Sequence, residues 1–134
     1  MRRDVRRKLI QVAKDGMTIT YGQLMKEFHI PRGHPTPGVG IGYVVGTISE
    51  YEDSKGRPLL SAIVVRSGSA SRICPKGSTG GGFFGIPTPT IPSELKRTES
   101  RISDPVLSDS ELRFLRSEQE KAWKYWATHV DDEQ

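Results

Sequence analysis

One cysteine, Cys74, stands among 134 residues, so the chain closes no disulfide within itself and builds no zinc site from several thiolates. Histidine is almost as scarce: His29, His34 and His129 are scattered, and no two have the spacing of helical or hairpin metal ligands. No metal and no cofactor is expected. Apolar residues make up only 34%, and no run approaches the roughly 18 that cross a bilayer. The opening MRRDVRRKLIQVAKDG is too acidic and too briefly apolar for a signal peptide. A soluble, cytoplasmic protein without a membrane partner is the expectation. Nucleotide loops are missing too. Gly77-x-x-x-x-Gly82 runs into Phe83-Phe84 where a phosphate loop needs Lys and Ser/Thr, and GVGIGYVVG has Val45 where a dinucleotide fingerprint needs its third Gly.

What the chain does have is positive charge, unevenly placed. Residues 1–16 carry six Lys/Arg against two Asp, residues 17–86 seven against four acids, and residues 87–134 seven against ten. A basic front portion suits a surface facing a polyanion, with Arg2, Arg3, Arg6, Arg7, Lys26, Arg32, Arg57, Arg66 and Arg72 as candidate phosphate contacts. An ordinary solvated helix face is the bland alternative.

Val5, Leu9, Val12 and Ala13 recur on one face of a first helix that Asp4 starts and Gly16 ends. Thr20-x-x-Gln23 is a capping box, placing Tyr21 first in a second helix that Pro31 stops. PRGHPTPGVG is a loop. GVGIGYVVGTISEYEDSKG fits a strand or a helix, its glycines costing a helix about 1 kcal/mol each. RPLLSAIVVRSG reads as a buried strand, with a return strand at residues 71–74 or 83–86 and PKGSTGGG as a mobile loop between. Residues 87–108 read as a Pro/Ser/Thr-rich linker. Ser108-x-x-Glu111 caps a C-terminal helix over residues 109–130, and an acidic tail follows at 131–134. This order predicts an α+β fold, a winged helix with a β-hairpin wing over residues 1–86.

VRRKLIQVAKDGMTITYGQLMKEF resembles the start of the DNA-binding domain of alkylguanine-DNA alkyltransferases and alkyltransferase-like proteins. Their pattern is an amphipathic helix, a Gly, Thr-Tyr-Gly, and a helix running Glu/Gln-Leu/Ile-Ala. Gly16 keeps the family spacing to Thr20, YVVG at residues 43–46 lies where the family has Arg-Ala-Val-Gly, and PLLSAIVV lies at its Pro-Cys-His-Arg-Val strand. The resemblance spans about residues 5–66. It implies that Tyr21 presses on a backbone phosphate while a nucleotide rotates out of the duplex, and that Tyr43 stands where the family inserts an arginine into the base stack. Ser61, Ala62 and Ile63 fall on the reactive cysteine, its histidine and the arginine, so alkyl transfer is contradicted. A half-buried Tyr21 packing on the first helix is the competing reading.

The leading expectation is a non-catalytic winged-helix module binding nucleic acid, duplex DNA first. A second is a protein-interaction adaptor docking through Trp123 and Trp126. A third is a nuclease-like enzyme of a mobile-element or defence system, resting on Asp53-Ser54-Lys55. Cys74 and Ser61 read as structural, so no catalytic residue is assigned.

Overall fold

The computed structural model describes residues 1–33, 38–98 and 100–133; His34 and the three residues after it lie outside them. Four helices dominate: α1 (Arg3–Lys14), α2 (Tyr21–Phe28), α3 (Ile41–Ser54) and α4 (Asp109–Thr128). Two-residue strands β1 (Ile19–Thr20) and β2 (Val64–Val65) pair in parallel, Ile19 opposite Val64 and Thr20 opposite Val65. Short 3-10 turns cover Leu60–Ile63, Gly81–Gly85 and Ser93–Leu95.

The capping boxes form as the sequence requires. The Gln23 amide donates to Thr20 Oγ1 at 3.1 Å while Thr20 N donates back to Gln23 Oε1 at 2.9 Å, and Ser108 with Glu111 repeats the exchange at the head of α4. α2 ends at His29 in the left-handed conformation, φ 54°, with the Ile30 amide turned back onto the Met25 carbonyl. Pro31 has no amide proton to continue the ladder.

The expected hairpin wing is absent, and with it the winged helix. Among the described residues the sheet is only the β1–β2 pair, and parallel strands cannot be joined by a tight turn. Leu60, Ser61, Ala62 and Ile63 are all buried, so this segment has no solvent face for a strand to alternate against. It winds into a 3-10 turn wedged against α1, α3 and α4. The Ser61 amide donates to Ser49 Oγ at 2.8 Å and Gln119 reaches the Ala62 carbonyl at 3.1 Å, tying backbone that a neighbouring strand would otherwise serve. After β2 the chain returns with one backbone bond, Arg66 N to Ser78 O at 2.9 Å, and no ladder follows. Residues 71–74 and 83–86 form no strand. PKGSTGGG is packed: Gly77, Ser78, Thr79 and Gly81 are buried.

α4 spans two apolar clusters. One joins Val5, Leu9 and Ala13 of α1 with Ile48, Ile63, Ala122 and Trp126; the other gathers Leu59, Ala62, Cys74, Phe84 and Ile91 around Leu115. Each large side chain so buried contributes about 1.5–3 kcal/mol. Trp126 is 2% exposed, and Trp123 donates its indole N–H to the Met17 carbonyl at 2.9 Å. Trp126 therefore closes the core, while Trp123 is half-buried and packs against its edge. Within residues 87–108, expected as a Pro/Ser/Thr-rich linker, Arg97 ties down the stretch 101–106. Its buried guanidinium takes Glu111 at 2.8 and 3.0 Å and the carbonyls of Arg101, Asp104 and Val106 at 2.6–3.0 Å.

Candidate nucleic-acid interface

The β1–β2 pair sets the geometry of the candidate site. Because Thr20 lies opposite Val65, the next residues, Tyr21 and Arg66, emerge side by side at the head of α2. Tyr21, Gln23, Lys26, Arg32 and Arg66 line a cavity of about 550 Å³ that no carboxylate among the described residues enters. Arg66 Nε is shielded from solvent and meets no acceptor among them. A sequestered donor without an acceptor costs about 1–3 kcal/mol. The first-turn amides of α2 add their partial positive charge.

Tyr21 is half-buried. Its hydroxyl accepts from the Gly80 amide at 3.4 Å. Burial pushes the phenol up, against smaller downward pulls from the Gly80 amide and the Arg66 charge, so at neutral pH it keeps its proton and remains a donor. Tyr21 also lines a second cavity, about 270 Å³, together with Gly42, Val45, Ser61, Phe83, Ile86 and Ile102. Tyr21 is thus a shared wall between a cationic chamber and an apolar one.

Tyr43, in the first turn of α3, is 59% exposed. It lines a neighbouring cleft that shares Gly42, Gly82, Ile86 and Ile102 with the apolar chamber. Ile102 bridges the two openings, and a Cβ on Gly85 would overlap its side chain.

The expected phosphate contacts divide into those that are accessible and those that are spent. Arg3, Arg7, Arg32 and Arg72 are exposed and Lys26 borders the chamber. Arg2 is forked onto Asp4 at 3.0 and 2.7 Å, holding that carboxyl down to about 2. Arg6 and Arg57 do not belong to the surface. Arg6 is 1% exposed and bonds Glu52 and Asp131 at 3.1 Å, while Arg57 takes Glu52 at 2.8 Å and Glu133 at 2.7 Å.

No acid–base machinery surrounds Ser61, whose hydroxyl accepts from Ser49 Oγ at 2.7 Å in a buried pair. Burial pushes the Cys74 thiol up, partly offset by Arg116, which is the reverse of what a nucleophile needs. Both oxygens of Asp53 are occupied by the hydroxyls of Thr88 and Thr90, removing the one carboxylate of the nuclease-like fragment from metal duty. Asp131, Asp132 and Glu133 cluster, yet two of the three are bound to arginine.

Sequence reading missed Phe83, Ile86 and Ile102 as chamber walls, since lone apolar residues in Gly- and Pro-rich stretches carry no periodicity. Gln23 was legible only as a cap. No protein-family model, curated protein or solved structure matches the chain.

Proposed function

We propose that this chain is a non-catalytic nucleic-acid-binding protein. The sugar-phosphate chain lies across Lys26, Arg32 and Arg66, and Tyr21 separates it from an unstacked base held in the apolar chamber. The observation that carries this reading is the shared wall: a chamber of three cations without a carboxylate and an apolar chamber meet at one aromatic ring. Nucleic acid is the polymer in which an anion and a flat, poorly solvated ring recur together. The likeness of residues 5–28 to alkyltransferase-like proteins supports the same use of Tyr21, and exposed Tyr43 is placed to replace the lost stacking, which costs a few kcal/mol.

Fluorescence anisotropy with labelled duplex and single-stranded DNA at low and physiological salt tests the proposal. Affinity is expected to fall linearly with salt on logarithmic axes, as counterions are released. A 2-aminopurine in the duplex is expected to brighten as it leaves the stack. Binding to neither probe, or binding indifferent to salt, removes the reading.

A further inference from the structure

The apolar chamber beside Tyr21 continues past Ile102. Gly42, Gly82, Ile86 and Ile102 line it and also line the cleft of about 330 Å³ that holds Tyr43, so the two cavities make one trough with Ile102 between its halves. Glycine keeps the trough open: a Cβ built on Gly42 or on Gly82 would meet nothing within 4 Å. Each half is at the small end of ligand pockets, which run to about 300–1,000 Å³, and so suits a single planar ring. Each half also has aromatic wall, Tyr21 with Phe83 in the first and the exposed Tyr43 in the second.

Positive charge lies at one end of this trough only. Lys26, Arg32 and Arg66 line the cationic chamber at the Tyr21 end. The Tyr43 end has no Lys or Arg among its described lining residues and has one carboxylate, Glu50; α3, which supplies both Tyr43 and Glu50, contains no Lys or Arg. Arg2, which shares a further cleft with Tyr43, is already forked onto Asp4. A duplex groove presents a phosphate chain on each flank of the element that enters it. Here the second chain would come against Glu50, and among the described residues there is no hairpin wing to grip it. One sugar-phosphate chain is served and a second is repelled. Two bases drawn from a duplex would also forfeit pairing and stacking, a cost that a single strand largely escapes. Resting on the nucleic-acid reading of the Tyr21 site, we infer that its preferred ligand is a single strand: two consecutive bases sit in the trough, one beside Tyr21 and Phe83 and the next on Tyr43, with the phosphates along Lys26, Arg32 and Arg66. A one-sided cationic track with aromatic platforms is the build of sequence-tolerant single-strand binders.

The test is fluorescence anisotropy of the full chain at fixed salt with one labelled DNA strand, alone and annealed to its complement, and with unlabelled oligothymidylates of increasing length as competitors. The single strand is expected to bind at least about tenfold tighter than the duplex. Competitor affinity should climb to about four nucleotides, as three cations require, and beyond that rise only with the number of places to bind. Tyr43→Ala should lose about tenfold in single-strand affinity with little change in melting, since the ring is 59% exposed. Gly42→Leu and Gly82→Leu fill the trough where no atom stands in the way, and neither glycine has a positive φ; each should keep the fold and lower single-strand affinity by about tenfold or more. Salt-dependent binding in which the duplex equals or exceeds the single strand overturns this inference and leaves the broader nucleic-acid reading standing, whereas binding to neither removes both. Single-strand affinity unchanged in all three variants overturns it as well.

Discussion

Arg6 and Glu52 meet between α1 and α3, Nε 3.1 Å from Oε2, and both side chains are shut off from solvent. Arg57 shares the same carboxylate at 2.8 Å, and Asp131 and Glu133 close the outer side. Glu52→Ala leaves Arg6 buried beside Arg57 with its inner acid gone. Stability should drop by about 3–5 kcal/mol, read from urea denaturation. A loss of only a few tenths would show that water enters the pair.

Removing the Trp126 ring empties the space between α1 and α4. Trp126→Ala is expected to cost about 3–5 kcal/mol in the same assay. Deletion of residues 105–134 should abolish cooperative unfolding altogether, since Leu115 and Ala122 leave with it; a truncated chain that melts cooperatively would make α4 an appendage.

Gly81 is crowded by backbone as well as by the buried Arg97 guanidinium. A Cβ there would stand 2.6 Å from the Ile102 carbonyl and 2.8 Å from that of Asp104, and the Asp104 carbonyl is fixed by Arg97. Gly81→Ala is predicted to destabilise by about 1–3 kcal/mol and to displace residues 101–104 from the apolar chamber, visible as changed methyl resonances of Ile102.

In the cationic chamber two substitutions separate roles. Arg66→Ala should weaken DNA binding across all sequences and lower the logarithmic salt slope by about one. Tyr21→Phe deletes one hydroxyl with its weak bond to Gly80, so thermal stability should scarcely change while affinity for the duplex falls. An unchanged affinity in both variants would place the DNA elsewhere.

Glu111 gives the fold an acid sensitivity of known sign. Hydrogen bonds from Arg97 hold its carboxyl below the usual range, outweighing the opposing effect of burial. The folded chain therefore releases this proton more readily than the unfolded one. The stabilisation is complete above the ordinary carboxylate range and is lost as pH falls through the lowered folded-state value. Glu111→Gln keeps a capping-box residue at the head of α4 and discards the charge. Its stability should be lower near neutrality and vary less between about pH 6 and about pH 3, a difference measurable by denaturation at stepped pH.

Local chemistry made much of the helical frame legible. Thr20 with Gln23 and Ser108 with Glu111 announce two helix starts because each pattern satisfies its own amides, and these starts are where the sequence places them. The ambiguity over residues 38–56 is resolved in favour of α3 from Ile41 to Ser54, whose buried Ile41, Val44, Val45 and Ile48 follow the helical period in spite of Gly42 and Gly46. The wing failed because an apolar run buried on every side has no period, and only the tertiary surroundings decide between strand and 3-10 turn. Arg6 was misplaced although its position relative to Ile10 and Ala13 marks it as inward-facing; the type of residue overrode its spacing. Glu118 has the same lesson on α4, one turn after Leu115 and one before Ala122. The meeting of Tyr21 with Ile102 was not legible at all, because it depends on Arg97 gathering carbonyls from a stretch that reads as open coil.

The seat of the last helix against the first has a further bearing on biosynthesis. α1 leaves the ribosome early, with Val5, Leu9 and Ala13 on one side, and the groups that cover this stripe from α4 emerge roughly a hundred residues later. At about 5–20 residues per second, that interval is many times longer than helix formation itself. For those seconds the apolar stripe of α1 is without the cover that α4 gives it in the folded chain.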